Sequence, residues 1–185
     1  PGPQALVFAQ DKAAMRARMT ELGVPCPAFE VCGDAAALRA FGDRLGWPII
    51  AKTSRGGYDG KGVWKLDGPD EAGVPFDGLA ETSAGEPVVI VAEEFIDFSR
   101  ELSAIVVRSA SGQLVAYPVS ETVQEDGICV ETVTPAPGLP AEVATGLQEL
   151  ALKVATELGV VGVLAVELME ARDGRIVVNE LAMRP

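Results

Sequence analysis

The chain has 185 residues, of which 48% are hydrophobic, and its 27 acidic and 15 basic residues give a formal net charge of −12. This length predicts one large domain or two small lobes with a substantial core, and the acidic balance argues against a nucleic-acid-binding surface, which would need a basic face. The chain contains no histidine, so a Ser–His–Asp triad and a His-ligated metal site are excluded within it.

The first part of the chain is predicted to be helical before it becomes extended. Residues 10–22 carry Ala, Met, Lys and Arg at helical spacing, and Gly23 follows as a stop signal. Asp34 is a favourable N-cap for a second helix, which runs to about Leu45 and ends at Gly46. Residues 47–64 then have the pattern of a strand, a glycine-rich flap and a second strand.

The flap has four glycines between Gly56 and Gly62, and Lys52 lies at the end of the apolar strand before it. Glycine allows backbone N–H groups to converge on one point, and such an array binds phosphate. A Walker A loop is excluded because Gly62 follows Lys61 where Ser or Thr is needed, and a Rossmann turn because no helical pattern follows. We predict a mobile hairpin tip over a nucleotide; the alternative is a plain flexible hairpin.

The rest of the chain is predicted to be mainly β. After a loop-rich segment with a helical turn near 76–82, strands are predicted at 88–92, 101–108, 113–119 and 128–133. A helix at 141–158 precedes a final hairpin that pairs 160–169 with 175–181. We therefore predict an α+β fold with two lobes, residues 1–92 and 93–185. The second lobe contains an antiparallel sheet, and a nucleotide lies between the lobes.

The final hairpin predicts a pair of facing carboxylates. A two-residue turn at Asp173-Gly174 places Glu167 directly opposite Glu180, at a Cβ separation of roughly 4.5–5.5 Å where like charges repel. Such a pair in an apolar hairpin needs a cation or a shared proton, and carboxylate oxygens suit Mg²⁺ or Mn²⁺. Asn179, next to Glu180, is a candidate for a further oxygen ligand, although simple strand alternation would aim it at the other face. The alternative is a register shifted by one residue, with both glutamates solvated.

Residues 93–96 lie where the first predicted lobe passes into the second. The backbone of such a linker can bind the edge of an adenine ring, and Glu101 is a candidate ligand for ribose hydroxyls. The alternative is an acidic linker that is simply solvated.

The three cysteines, Cys26, Cys32 and Cys129, are odd in number and lack C-x-x-C spacing, which predicts reduced thiols in a cytoplasmic protein. No apolar run approaches the roughly 20 residues that span a bilayer, so no membrane association is predicted. The chain begins without Met and ends directly after a strand-like run. We expect it to be the central part of a longer enzyme.

Two motifs are highly specific, Gly56-Gly57-Tyr58-Asp59-Gly60 and Asn179-Glu180-Leu181-Ala182. Smaller ones are Gln10-Asp11-Lys12, Tyr117-Pro118, residues 124–128 and Val161-Gly162-Val163. Together they span nearly the whole chain and resemble the ATP-grasp superfamily. Within that superfamily they resemble the N5-carboxyaminoimidazole ribonucleotide synthases of purine biosynthesis.

This resemblance implies a ligase that uses ATP and bicarbonate to carboxylate 5-aminoimidazole ribonucleotide through carboxyphosphate, in a cytoplasmic protein that is a homodimer when intact. It implies ATP and Mg²⁺ as cofactors, with Mn²⁺ as an alternative metal. By position, the nucleotide-binding residues would be Lys12, Lys52, Gly57, Tyr58, Asp59, Gly60, Lys61, Gly62, Glu93, Glu94, Phe95, Ile96, Glu101, Gln124, Asn179 and Glu180. Glu167 and Glu180 would hold the metal. Tyr58, Asp59 and Lys61 would be the catalytic group that positions bicarbonate.

The chain departs from that family at several positions. Lys12 and Lys61 stand where arginine is common, Gln124 where some members have histidine, and Met183 where proline is usual. The family also has an N-terminal Rossmann-like domain before this region, and a substrate segment and a small C-terminal domain after it. We therefore expect the isolated chain to bind ATP but to be catalytically incomplete.

Two other classes of function stay open. One is a different ATP-grasp ligase, such as a formate-dependent glycinamide ribonucleotide transformylase or a biotin carboxylase. The other is a non-catalytic nucleotide-binding module that kept the fold. The presence of Lys52, Glu167 and Glu180 argues against this second class, because a module that only binds nucleotide does not need opposed carboxylates.

Overall fold

The computed structural model describes residues 1–56, 61–77 and 89–184. Within these ranges the protein is α+β, as predicted, and two antiparallel sheets pack against helices. The helices are α1 (Pro3–Gln10), α2 (Lys12–Glu21), α3 (Ala35–Leu45) and α4 (Ala141–Glu157). None of the helices in the described ranges is long and apolar enough to cross a membrane.

The smaller sheet contains the flap strands. Its members are β1 (Phe29–Cys32), β2 (Ile49–Thr53), β3 (Val63–Leu66) and β4 (Ile90–Glu94), in the spatial order β1-β4-β2-β3. Leu38 and Phe41 of α3 pack in one cluster with buried residues of this sheet. As predicted, Asp34 caps α3, since its Oδ1 accepts a hydrogen bond from the Ala37 N–H at 2.8 Å. The helix ends at Gly46, which has a φ of +104°.

The larger sheet has one core face and one open face. It contains β5 (Phe98–Arg108), β6 (Leu114–Ala116), β7 (Ser120–Glu125), β8 (Ile128–Val133), β9 (Gly162–Ala171) and β10 (Ile176–Arg184). The order is β10-β9-β5-β7-β8, and β6 pairs with the far end of β5. Leu102, Ala104 and Val106 of β5 lie in a core cluster with residues of α4. Because side chains alternate along a strand, Ser103 and Ile105 lie on the opposite face, where they line a cleft.

The helix predicted at 10–22 is present, but a second helix lies before it. Helix α1 ends at Gln10, and Asp11 is extended, with φ −126° and ψ 105°. The Asp11 carboxylate accepts a hydrogen bond from the Ala14 N–H at 3.1 Å and so caps α2. Helix α1 was not predicted, although the Pro in its first turn supports its start.

Helices α1 and α2, which belong to the predicted first lobe, pack against the larger sheet, which belongs to the second. Ala5, Met15 and Met19 belong to the core cluster of the larger sheet, together with Leu102. Strand β4 continues to Glu94 and so crosses the boundary proposed after residue 92. The division into residues 1–92 and 93–185 stays a prediction.

Several predicted bounds are corrected. The strand predicted at 113–119 is shorter, and the next strand, β7, was not predicted; it pairs with an earlier part of β5. Its sequence, Ser-Glu-Thr-Val-Gln-Glu, has a single apolar residue and so lacks the apolar alternation that predicts a strand. The loop after β3 contains 3₁₀ turns at Pro69–Glu71 and Val74–Phe76, and residues 78–82 of the predicted helical turn lie outside the described residues.

Gly42 of α3 is required by the packing of Trp47. A Cβ at position 42 would overlap the Trp47 indole, whose Nε1 donates a hydrogen bond to the Asp43 carboxylate at 3.1 Å. We expect Gly42→Ala to lower the free energy of unfolding by about 1–3 kcal/mol, because the ring must move out of its packed position. Chemical denaturation measures this change.

Gly146 of α4 provides the matched control, since a Cβ there meets no atom within 4 Å. Gly146→Ala is expected to raise the free energy of unfolding by about 0.5–1 kcal/mol, because alanine is the better helix former. An equal gain for both variants would contradict the packing of Trp47 on α3.

Candidate functional site

The turn between β9 and β10 is closed by Ala171 and Arg175 and has three residues, 172–174, instead of the predicted two. The Ala171 N–H donates to the carbonyl of Arg175 at 2.8 Å, and the Gly174 N–H donates to the carbonyl of Ala171 at 3.0 Å. Gly174 has a φ of +89°, which lets this longer loop close. The predicted two-residue turn is therefore wrong, and Ile176 lies opposite Glu170, one position away from the register that such a turn would give.

A β-bulge at Asn179 restores the predicted register. Val178 pairs with Leu168, but Glu180 pairs with Glu167, so Asn179 is the extra residue on its strand. The predicted opposition of Glu167 and Glu180 is present in the structure. It results from the three-residue loop and the bulge together, whose one-residue shifts cancel.

The bulge also decides which way Asn179 points. Val178 and Leu181 both belong to the core cluster of the larger sheet, so the two residues between them, Asn179 and Glu180, lie on the open face. The expectation that alternation turns Asn179 away from Glu180 is therefore wrong. The Asn179 Oδ1 accepts a hydrogen bond from the Lys52 Nζ at 3.1 Å.

The facing glutamates extend a row of polar residues across the open face. Ser120 of β7 pairs with Ser103 of β5, Ser103 pairs with Glu167 of β9, and Glu167 pairs with Glu180 of β10. This face holds a cleft of about 240 Å³, and its lining includes Glu167 and Gln124. The structure thus brings two predicted site residues from distant parts of the chain into one cleft.

Lys52 lies where the two sheets meet. Its Nζ is 2.8 Å from Oε2 of Glu93 and 3.1 Å from Oδ1 of Asn179, and its side chain is 13% exposed. Lys52 belongs to the smaller sheet and Asn179 to the larger one. The ammonium group therefore connects the sheets beside the open face that carries Glu180.

Glu93 and Arg16 form a buried ion pair behind Lys52. The Arg16 Nε donates to Oε1 of Glu93 at 2.6 Å, and these side chains are 0% and 2% exposed. Burial alone raises the pKa of Glu93, but Lys52 and Arg16 together outweigh burial and hold this pKa below its usual value of 4.5. The resemblance implies that Glu93 holds adenosine, whereas the structure places its carboxylate between two cations inside the protein.

Arg16 also binds the bulge. One terminal nitrogen of its guanidinium donates to the carbonyl of Val178 at 2.8 Å, and the other donates to the carbonyl of Asn179 at 2.9 Å. Arg16 was not predicted as a site residue, because a basic residue in an ordinary helix is usually exposed. Its carboxylate partner and the two carbonyls that it binds lie 77 to 163 residues further along the chain, so local sequence gives no signal for them.

The first turn of α2 is tied to the end of β2, which brings Lys12 close to the strand that carries Lys52. The Lys12 N–H donates to the carbonyl of Ser54 at 2.8 Å, and the Ser54 hydroxyl donates to the Asp11 carboxylate at 2.7 Å. The Arg55 Nε donates to the same carboxylate at 2.8 Å. The two predicted phosphate-binding lysines are thus placed at the same end of β2.

The segment after β4 is held by the tip of the final hairpin. A terminal nitrogen of Arg175 donates to Oε1 of Glu94 at 2.9 Å. The backbone N–H of Arg172 donates to the carbonyl of Asp97 at 2.9 Å. Arg175 was not predicted as a partner of Glu94, because that contact joins residues 81 positions apart.

Phe95 and Ile96 point in different directions. Ile96 is 4% exposed and packs in a small cluster with Met169 and Val177, so its side chain belongs to the core. Phe95 is 36% exposed, and the Lys65 Nζ lies 5.2 Å from the centre of its ring. Of these two predicted adenosine contacts, Phe95 presents its side chain to the surface, and Ile96 can offer only its backbone.

Glu101 lies on the open face and is only partly exposed. Within the part of the chain that the structure describes, no hydrogen bond or ion pair reaches its carboxylate. Burial raises its pKa above the usual value of 4.5. A partly buried acceptor of this kind is suited to a ligand hydroxyl, as predicted for ribose.

The flanks of the flap agree with the prediction, since β2 ends at Thr53 and β3 begins at Val63. Lys61 is exposed, and the carbonyl of Gly62 accepts a hydrogen bond from the Thr53 N–H at 2.9 Å. The other predicted flap residues, and the prediction of flap mobility, lie outside the described residues: Gly57, Tyr58, Asp59 and Gly60.

Comparison with known proteins gives matches over the whole chain. Residues 17–185 match the ATP-grasp domain family. The N5-carboxyaminoimidazole ribonucleotide synthase of Mycobacterium tuberculosis is 49% identical over 185 residues, which are 100% of this chain and 42% of that protein. The chain therefore spans less than half the length of this curated relative.

The solved structures with the same fold include two such synthases. The ADP complex of an N5-carboxyaminoimidazole ribonucleotide synthetase has a TM-score of 0.85 and 32% identity, covering 100% of this chain and 47% of that one. The synthase from Aspergillus clavatus, in complex with ADP and 5-aminoimidazole ribonucleotide, has a TM-score of 0.82 and 27% identity, covering 98% and 46%. These matches confirm the predicted fold.

We expect the negative charge of Glu101 to lower the free energy of unfolding. Because its folded pKa is raised, the ionised carboxylate costs stability above the unfolded pKa, and this cost vanishes below it. We expect Glu101→Gln to raise the free energy of unfolding at pH 7, and we expect the gain to disappear as the pH falls below about 4. Denaturation at several pH values measures both effects.

Glu121 on the neighbouring strand β7 is the matched control. It is 27% exposed and lies 3.2 Å from Arg100, so Glu121→Gln is expected to lower the free energy of unfolding by up to about 1 kcal/mol. A loss of stability in Glu101→Gln at pH 7 would show that its carboxylate has a favourable partner in the folded protein.

Proposed function

The chain belongs to the ATP-grasp family, and from this premise we propose that it forms the nucleotide site of a carbon–nitrogen ligase. The proposed reaction converts 5-aminoimidazole ribonucleotide, ATP and bicarbonate to N5-carboxyaminoimidazole ribonucleotide, ADP and phosphate. The observation that carries the proposal is the 49% identity, over the whole chain, to a synthase named for this product. The arrangement of the open face supports it.

The proposed nucleotide lies between the end of β2 and the open face of the larger sheet. Lys52, near the end of β2, supplies a positive charge beside Asn179. Lys12 begins helix α2, whose first turn is hydrogen-bonded to the residue that follows β2. A glycine-rich hairpin beside two lysines stabilises the charge on a transferring phosphoryl group. Adenine binds along residues 94–96, where the Phe95 ring is accessible, and Glu101 accepts from the ribose hydroxyls.

The facing glutamates fit a magnesium ion. The candidate ligands are Glu167 and Glu180, because they face each other across β9 and β10. Among the described residues, no group of three or more His, Cys, Asp or Glu side chains is arranged to hold a metal. Magnesium commonly uses one or two protein carboxylates and takes its other ligands from phosphate and water. When bound there, it would neutralise part of the phosphate charge. Asn179 lies on the same face and is already bonded to Lys52.

The chemistry follows from the proposed substrates. A bicarbonate oxygen attacks the γ-phosphorus of ATP, the bond to the ADP oxygen breaks, and carboxyphosphate forms. The substrate amine then attacks the carboxyl carbon, phosphate leaves and the nitrogen loses a proton. Tyr58, Asp59 and Lys61 are proposed to position bicarbonate at the flap, and exclusion of water there would protect the reactive intermediate.

Phosphate release by the full-length protein tests this proposal. We expect release to require ATP, bicarbonate and 5-aminoimidazole ribonucleotide together. Glu180→Gln is expected to lower turnover about 100-fold or more, because the group that balances the phosphate charge loses a ligand, while thermal unfolding shows a retained fold. Glu149→Gln, an exposed substitution on α4, is the control and should keep turnover.

Three outcomes would contradict the proposal. Release driven by formate with glycinamide ribonucleotide would assign the chain to a different ligase of the same family. Full turnover in Glu180→Gln would remove the metal site from the mechanism. Binding of ATP without any turnover, under all these substrates, would favour a module that only binds nucleotide.

A further inference from the structure

The proposed phosphate ligand, Lys52, already has an anionic partner inside the protein. Its Nζ lies 2.8 Å from Oε2 of Glu93, a residue that is 1% exposed. A lysine paired one-to-one with a buried carboxylate has little net charge to offer an incoming phosphate. If Lys52 is to bind phosphate strongly, another cation must share Glu93.

Arg16 is that cation. Its Nε donates to Oε1 of Glu93 at 2.6 Å, while Lys52 takes Oε2, so each oxygen of the carboxylate has its own partner. The three side chains together carry one net positive charge. Because Arg16 is fully buried and Lys52 is 13% exposed, Lys52 is where this charge can reach a ligand.

The remaining nitrogens of Arg16 hold the bulge of β10. They donate to the carbonyls of Val178 and Asn179 at 2.8 and 2.9 Å. The side chain of Asn179 in turn accepts from Lys52 at 3.1 Å, and the bulge is what places Glu180 opposite Glu167. A planar guanidinium can serve three acceptors in fixed directions, which a lysine ammonium cannot reproduce.

We propose that Arg16 is a positioning residue for the nucleotide phosphates: it takes one oxygen of Glu93, so that Lys52 keeps its charge for the phosphates, and it fixes the Asn179–Glu180 bulge. Arg16 touches no ligand itself, since it is buried beneath the site. The inference rests on the proposed function, in which Lys52 meets the phosphates of ATP.

The test compares the affinities of the full-length protein for ATP and for adenosine, measured by calorimetry with Mg²⁺. The ratio of the ATP affinity to the adenosine affinity isolates the contribution of the phosphates from that of the adenosine site. We expect Arg16→Met to lower this ratio at least about tenfold, because the group around Lys52 becomes electrically neutral. Arg18→Met is the control on the same helix. Its side chain is 31% exposed, and among the described residues its ion pairs are with the exposed carboxylates of Glu21 and Glu157, so the ratio of this variant should match the wild type.

A second substitution separates charge from mere structural damage. Arg16→Met combined with Glu93→Gln restores one net positive charge at Lys52, and we expect the ratio to return to within about threefold of the wild type. A purely structural role for Arg16 would lower both affinities together or leave the double variant as weak as the single one. Either result would overturn the inference.

Lys52→Met distinguishes this inference from the proposed function. If Lys52→Met leaves the ratio unchanged, Lys52 is not the phosphate ligand, and both the assigned site and the role of Arg16 are overturned. If Lys52→Met lowers the ratio but Arg16→Met does not, only the role of Arg16 is overturned.

Glu93→Gln keeps the test decisive if Arg16→Met does not fold. This variant removes the competitor for Lys52 and leaves both cations, so the ratio should equal or exceed that of the wild type. A ratio at least about tenfold lower in Glu93→Gln would overturn the inference, because it would mean that the carboxylate assists phosphate binding.

Discussion

The structure depends on one buried carboxylate that two cations share. Glu93 of the smaller sheet is bonded by Arg16 from α2 and by Lys52 from the neighbouring strand, and Arg16 also bonds two carbonyls of the larger sheet. Burying an ion costs several kcal/mol unless its partners are close and well oriented. Glu93, Arg16 and Lys52 must therefore be buried together, and their contacts fix how α2 packs against the two sheets.

The candidate site is a consequence of the same contacts. The bulge whose carbonyls bind Arg16 puts Asn179 and Glu180 on one face, and the Asn179 side chain accepts a hydrogen bond from Lys52. At the start of α2, Asp11 and Ser54 tie that helix to the end of β2. The groups proposed to bind phosphate and metal are thus positioned by interactions that also hold the sheets together.

Sequence patterns predicted the features with local causes: the Asp34 cap, the strands beside the flap and the helix α4. The family motifs predicted the fold. Sequence patterns could not predict long-range partners, because nothing near Arg16 in the sequence indicates that it is buried against Glu93. The opposition of Glu167 and Glu180 was predicted correctly from a wrong turn, since the bulge at Asn179 cancelled the error. Strand β7 was missed because five of its six residues are polar.

The most direct test is the free energy of unfolding of the wild type and of Glu93→Gln, measured from neutral to acid pH. Because the folded pKa of Glu93 is held below 4.5, its ion pairs stabilise the protein above that range, and the stabilisation is lost as the pH falls through the folded pKa. We predict that the wild type is more stable by about 3–5 kcal/mol at pH 7 and that this difference shrinks in acid. A difference that is absent at pH 7, or that does not change with pH, would contradict the central role of this carboxylate.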